Sequence, residues 1–194
     1  VAARPGADVQ LTLEVPVQQD LERALAEAAR HHQAASAAGL VIRPTTGEVV
    51  AMASWPGFDP EDFAAADPAS FRNNALAFVY ESGSTMKPLV AGAAVAEGVV
   101  GWDTVIDCEQ GRWTYRVGRA RRTIHSHAHG LLSVLDGIAK SDNILMAKLG
   151  IELGPERLYR WTRRFGFGRP TGIELPGEDA GIMRILPRPH GAKR

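Results

Sequence analysis

With one cysteine, Cys108, the chain cannot form an intrachain disulfide, and its redox compartment is left open. That cysteine is expected to be a buried structural residue. Long hydrophobic runs are missing too. No stretch approaches the roughly 20 apolar residues of a membrane span, and no basic-then-apolar leader opens the sequence. Charge of one sign is also lacking: 22 Lys and Arg balance 22 Asp and Glu, which argues against a nucleic-acid surface. Arg outnumbers Lys 18 to 4, which alongside the Ala and Gly content reads as compositional bias rather than phosphate recognition. No internal repeat or low-complexity tract is present. The first residue is Val1 rather than Met, as expected of a fragment or processed chain, so the lack of an anchor says little about the parent protein.

What is present suits a globular fold. Apolar residues make up 45% of the 194 and charged ones 23%, enough for a sizeable core. Val9 to Leu13 alternates like a short strand. Pro16 then suits the first turn of an amphipathic helix with Val17, Leu21, Ala24, Leu25 and Ala28 on one face. Gly39–Arg43 and Glu48–Ala53, separated by Pro44-Thr45-Thr46-Gly47, read as an antiparallel hairpin that needs something to pack on. Trp55 to Asn74 is an irregular connection, and Asp107 to Arg122 a loop with short strands at most. Helices are expected over Leu131–Lys140, from Ile144 onward, and over Pro155–Phe165.

The chemistry gathers at Tyr80-Glu81-Ser82-Gly83-Ser84-Thr85-Met86-Lys87-Pro88. A serine hydroxyl is a poor nucleophile until a neighbouring base takes its proton, and a lysine three positions on can do so if its charged form is disfavoured. Ser84 and Lys87 share a face if the run opens a helix. Pro88 favours a helix starting close to Ser84, or at Pro88 itself with Ser84–Lys87 in a turn. The apolar run Leu89–Ala96 reads as a buried helix. By chance one Ser-x-x-Lys is expected roughly 0.2 times here, and a Ser-x-Asn such as Ser141-Asp142-Asn143 about 0.1 times, so together about 0.02.

His125-Ser126-His127-Ala128-His129 admits two readings: three imidazoles on one face of a strand that could hold a metal, or a polar loop ahead of the second motif. The loop is preferred, since no Asp, Glu or Cys stands nearby in sequence. Trp102, Trp113 and Trp161 read as packing residues.

These motifs and their surroundings resemble the transpeptidase domain of class B penicillin-binding proteins, more the septal, division-specific type than the elongation type. The resemblance runs from Leu11-Thr12-Leu13 with Gln18 through Pro44–Met52, Pro56–Pro60, Arg72–Ala75, Glu81–Pro88, Gly130–Val134 and Lys140–Asn143 to Phe165–Gly168 and Thr171–Glu178. It implies an α/β (α+β) fold of the penicillin-binding-protein/β-lactamase type, an antiparallel sheet flanked by helices. On this reading residues 1–194 are the N-terminal part of a single transpeptidase domain.

The resemblance implies that Ser84 attacks the carbonyl of the penultimate D-alanine of a peptidoglycan stem peptide and releases the terminal D-alanine. Lys87 is then the general base, Ser141 relays a proton to the leaving amine, and Asn143 orients Lys87 and the substrate amide. An amine of a neighbouring stem resolves the ester, and a β-lactam acylates the same serine. No cofactor or metal is implied. The implied partners are stem peptides, β-lactams and, for the parent, a cell-wall glycosyltransferase and divisome proteins. The implied place is the cell envelope, with the parent anchored in the membrane and this domain outside it.

Two departures touch no proposed chemistry: Ser82 stands where the family has proline, and Asp142 where it more often has serine. The third is larger. No Lys-Thr-Gly follows before the end at Gly191-Ala192-Lys193-Arg194, and the family carries that motif on a strand forming the cleft's opposite wall and preceding a donor of the oxyanion hole. The family's five-stranded sheet would then lack its C-terminal strands, so this chain alone is expected to be poorly stable and to have little activity. The rival readings are a serine β-lactamase, for which no Glu has the required Glu-x-x-Leu-Asn setting, and a non-catalytic β-lactam sensor or scaffold.

Overall fold

The computed structural model describes residues 6–183, so the chain's end at Gly191 to Arg194 lies outside the described residues. The described chain divides into two compact units, residues 6–79 with 172–179, and 80–171 with 180–183. Each mixes helices with antiparallel strand pairs, the fold class expected.

In the first unit α1 (Val15–His31) lies on the hairpin of β1 (Ala37–Ile42) and β2 (Val49–Trp55). Pro16 opens the helix as its sequence suggests, because a first-turn residue needs no N–H partner. The face turned inward is Val17, Leu21, Leu25 and Ala29. Ala24 and Ala28 are exposed, so the helix is rotated from the expected face. Gly39 permits the approach: a Cβ there would sit 2.7 Å from Leu21 Cδ1.

Residues 9–13 form no strand. They and α1 instead take up backbone groups of β2. Thr12 Oγ1 donates to the Val49 carbonyl at 2.6 Å, and the Glu14 N–H to that of Val50 at 2.9 Å. The Gln18 amide both donates to the Met52 carbonyl (2.7 Å) and accepts from its N–H (2.8 Å). A side-chain amide thus mimics one rung of a further strand. Between Trp55 and Asn74 the irregular connection is two short 3₁₀ turns, each opened by an aspartate, Asp59 or Asp67, accepting an N–H two residues on.

The second unit is built on α3 (Lys87–Ala96), which follows α2 (Asn74–Ala77) in chain order, and α5 (Asn143–Leu153). Ala91 and Ala94 present almost no bulk, so α5 packs close and Leu145, Met146 and Leu149 fill one core with Cys108, Leu132 and Val134. Cys108 is fully buried, as its sequence reading expects. Fully burying each of Ile144, Leu145, Leu149 and Leu153 contributes about 1.5–3 kcal/mol. Trp161 on α6 (Pro155–Arg164) packs with its Nε1–H on Glu97 at 2.8 Å, whereas Trp102 is 44% exposed and does not fit the packing role.

Two expectations shift here. The helix expected from Leu131 begins later, because Leu131–Ser133 is a strand, β6, pairing with β3 (Val105–Asp107), and Ser133 caps α4 (Val134–Ala139) by accepting the Asp136 N–H at 3.1 Å. In Asp107–Arg122, expected as a loop with short strands at most, a regular hairpin begins instead, β4 (Arg112–Val117) with β5 (Ala120–His125), which runs past the segment's end. β4 shows the alternation of a half-buried strand, Trp113, Tyr115 and Val117 between polar residues, but in β5 the adjacent Arg121 and Arg122 hide it.

Candidate active site

Ser84 lies in a 3₁₀ turn, Gly83–Met86, that runs directly into α3 at Lys87. Gly83 has φ +58°, a conformation that favours glycine, and the Thr85 hydroxyl donates to the Ser82 carbonyl at 2.6 Å. The two helix starts read from Pro88 are thus both partly realised: a tight turn at the serine, an α-helix from the lysine. Ser84 is exposed and Lys87 half-buried.

The second motif sits at the α4–α5 junction. Ser141 holds φ +53°, unusual for a residue with a Cβ, and the turn is locked by Ser141 N–H on the Ile138 carbonyl (2.9 Å) and Asp142 N–H on that of Gly137 (2.8 Å). Asp142 then caps α5, accepting the Leu145 N–H at 2.8 Å. This brings Ser141 and Asn143 up to Lys87. The Lys87 ammonium donates to the Ser141 carbonyl (2.5 Å), to Ser141 Oγ (2.9 Å) and to Asn143 Oδ1 (2.7 Å). Burial lowers the Lys87 pKa from the ordinary lysine range, against the opposing pull of the Asp142 charge.

All four sequence-predicted residues, Ser84, Lys87, Ser141 and Asn143, line one open recess of about 400 Å³ with His125, Ser126, His127 and Lys140. The Lys87 backbone N–H donates to the Ser84 carbonyl, but among the described residues no side-chain hydrogen bond joins the Ser84 hydroxyl to Lys87 Nζ, which is turned to the second motif. A larger hollow, about 630 Å³ beside Met52, Trp55 and Phe71 in the first unit, holds none of these residues.

What sequence reasoning passed over is the support beneath the motif. Asp142 is fully buried, and its Oδ2 accepts from Ser126 Oγ at 2.8 Å and lies 3.1 Å from His129 Nδ1. Ser126 Oγ in turn accepts the Asn143 N–H (3.1 Å), and Asn143 Nδ2 donates to the His125 carbonyl (3.0 Å). Burial alone would raise the Asp142 pKa. Hydrogen bonds from Leu145, His129, Ser126 and Cys108 more than offset it, and the carboxyl is held below its ordinary value. The His125–His129 run therefore serves the second motif, with Asp142 as the anchor that Ser126 and His129 meet. A signal was available in Asp142 standing where serine is commoner, but not its partners. Among the described residues no cluster of His, Cys, Asp and Glu could hold a metal.

Comparison with known proteins gives a consistent match. A family model described as the penicillin binding protein transpeptidase domain matches residues 37–186. The chain is 34% identical over 187 residues to stage V sporulation protein D of Bacillus subtilis (strain 168), covering 95% of this chain and 29% of that protein. It is 33% identical over 196 residues to the peptidoglycan D,D-transpeptidase MrdA of Escherichia coli (strain K12), covering 94% and 30%. Among solved structures, that of the TP domain of penicillin-binding protein 3 from Burkholderia pseudomallei superposes with a TM-score of 0.75 at 27% identity, over 94% of this chain and 50% of that one. The chain thus spans about 30% of the length of these curated relatives.

Proposed function

Because the chain belongs to the penicillin-binding protein transpeptidase family, we propose that it supplies the nucleophile side of a peptidoglycan D,D-transpeptidase site, as the N-terminal part of one transpeptidase domain. The observation that carries this reading is the meeting of Ser84, Lys87, Ser141 and Asn143 at one recess.

The chemistry follows from the groups present. Neutral Lys87 takes the Ser84 hydroxyl proton as Oγ bonds to the carbonyl carbon of the penultimate D-alanine. The C–N bond to the terminal D-alanine breaks, and a proton passed through Ser141 reaches that leaving amine. An amine of a second stem peptide then attacks the Ser84 ester, forms the cross-link amide and returns the hydroxyl. Asn143 is suited to orientation, since its Oδ1 faces Lys87 while its Nδ2 is held on the His125 carbonyl. The domain works outside the membrane, where its polymer lies, and a membrane anchor, a glycosyltransferase partner and divisome contacts belong to the whole protein. Among the described residues no helix is long and apolar enough to cross a membrane.

Labelling by a fluorescent penicillin tests the reading. The protein carrying this chain is expected to acquire one covalent label, mapped to Ser84, that is lost in Ser84→Ala and slowed about 10²- to 10⁴-fold in Lys87→Ala, the usual worth of a positioned base. A label on any other residue, or Lys87→Ala labelling within a few-fold of the parent, would contradict it. Transfer of the acyl group to an added D-amino acid separates a transpeptidase from a mere sensor.

A further inference from the structure

The two faces of the β4–β5 hairpin differ sharply. Its register sets Arg112 opposite His125, Thr114 opposite Thr123 and Arg116 opposite Arg121. Alternation puts these six on one face, and all six are exposed. Trp113, Tyr115 and Ile124 lie on the other, half-buried, beside exposed Val117, Ala120 and Arg122 towards the tip, with the two rings stacked at 4.6 Å and the Lys148 ammonium 5.1 Å from the centre of the Trp113 ring. The aromatic face fastens the hairpin, and the cationic face is turned to solvent.

That cationic face works against the hairpin's own stability. Like charges directly opposite across strands repel, and Arg116 and Arg121 are so placed. Among the described residues no carboxylate lies within ion-pair reach of Arg112, Arg116 or Arg121, nor of Arg119 at the tip. The position of the row is equally telling. His125 closes it and lines the recess, and its carbonyl is tied to Asn143. From there the row runs outward, Arg112 to Arg116 covering four residues, or about 13 Å.

We propose that this face is a docking track for the carboxylates of an uncross-linked peptidoglycan strand, one of whose stem peptides occupies the recess. The proposal rests on the reading of that recess as a transpeptidase site. Charge complementarity selects the occupant: each uncross-linked stem peptide ends in a carboxylate, and a strand repeats them along its length. A guanidinium meets a carboxylate with two parallel N–H donors. A narrow row leading out of the recess suits a linear polymer. An anionic membrane fits less well, because Trp113 and Tyr115, the residue types that anchor at a membrane surface, are on the half-buried face.

Co-sedimentation of the protein with purified peptidoglycan across a salt series tests the track. Arg116→Gln/Arg121→Gln is expected to bind about twofold to thirtyfold more weakly, with a flatter salt dependence, at 0.2–1 kcal/mol for each lost exposed pair. Its thermal midpoint should be unchanged or raised, since repulsion is removed, and its penicillin labelling unchanged. If the double variant does not fold, Arg121→Gln alone carries the same test with a smaller loss. Unchanged peptidoglycan binding would overturn the proposal. So would an equal loss in Arg23→Gln on α1, or a loss confined to vesicles of anionic phospholipid. Arginine-dependent binding by a protein that penicillin does not label would uphold the track while refuting the active-site reading.

Discussion

Replacing Asp142 with alanine should be among the costliest single substitutions near the recess, although Asp142 has no step in the proposed reaction. The fully buried carboxylate accepts the Leu145 N–H as the cap of α5, and meets Ser126 Oγ and His129 Nδ1. Loss of a cap costs about 1 kcal/mol. Each of the two side-chain partners left without its acceptor adds about 1 kcal/mol, the low end of the range because both are half-buried and can reach water. The total, about 3 kcal/mol, compares with a typical domain stability of roughly 5–15 kcal/mol. Asp142→Asn keeps an oxygen for the cap but turns an N–H₂ towards donors, and should lose about half as much. Urea unfolding followed by circular dichroism gives both numbers. A loss under about 1 kcal/mol for Asp142→Ala would refute the reasoning. The penicillin acylation rate of the folded variant should also fall, because Ser141 and Asn143 flank the anchor.

Three further outcomes are expected. The Asp142 pKa is depressed in the folded state, so its stabilisation is fully present above about pH 4 and is lost as pH falls through the folded value; acid unfolding of Asp142→Asn should lack that component, and identical acid profiles would contradict it. Acylation of Ser84 should rise with pH through the lowered Lys87 pKa and level off below the ordinary lysine value of about 10.4, whereas a rate still climbing there would argue against burial of the base. Gly137→Ala places a Cβ 2.5 Å from Leu145 Cδ1 and should cost about 1–3 kcal/mol by overpacking, read as a lowered thermal midpoint; an unchanged midpoint would show that α5 yields freely.

Elements announced by one dominant local signal were readable from sequence. Pro16, Pro88 and Pro155 each mark a helix start, and the apolar run after Pro88 is the buried helix α3. Elements decided by a distant partner were not. Val9–Leu13 alternates like a strand, yet its neighbourhood meets β2 through isolated contacts such as that of Thr12. β4 does alternate, with Trp113, Tyr115 and Val117 between Arg112, Thr114 and Arg116, but β5 does not, because Arg122 stands between Ala120 and Ile124 on the same face. The four site residues were legible because their spacing is tied to helix starts. Their support was not, since Ser126, His129 and Asp142 meet across 16 residues or fewer through a buried carboxylate whose role depends on depth.

The three acceptors around Lys87 Nζ can also be read as a count of hydrogens. An ammonium has three N–H bonds and no lone pair, and here each bond has a taker in Ser141 or Asn143. An amine has two N–H bonds, so one acceptor must go without and the freed lone pair can turn elsewhere. On the proposed chemistry the resting recess is therefore latched: Ser84 stays a plain alcohol until Lys87 gives up a proton and lets go of the second motif. Substrate that seals the recess from water favours that release, so the nucleophile is armed by the molecule it is to attack and is spared from attacking others.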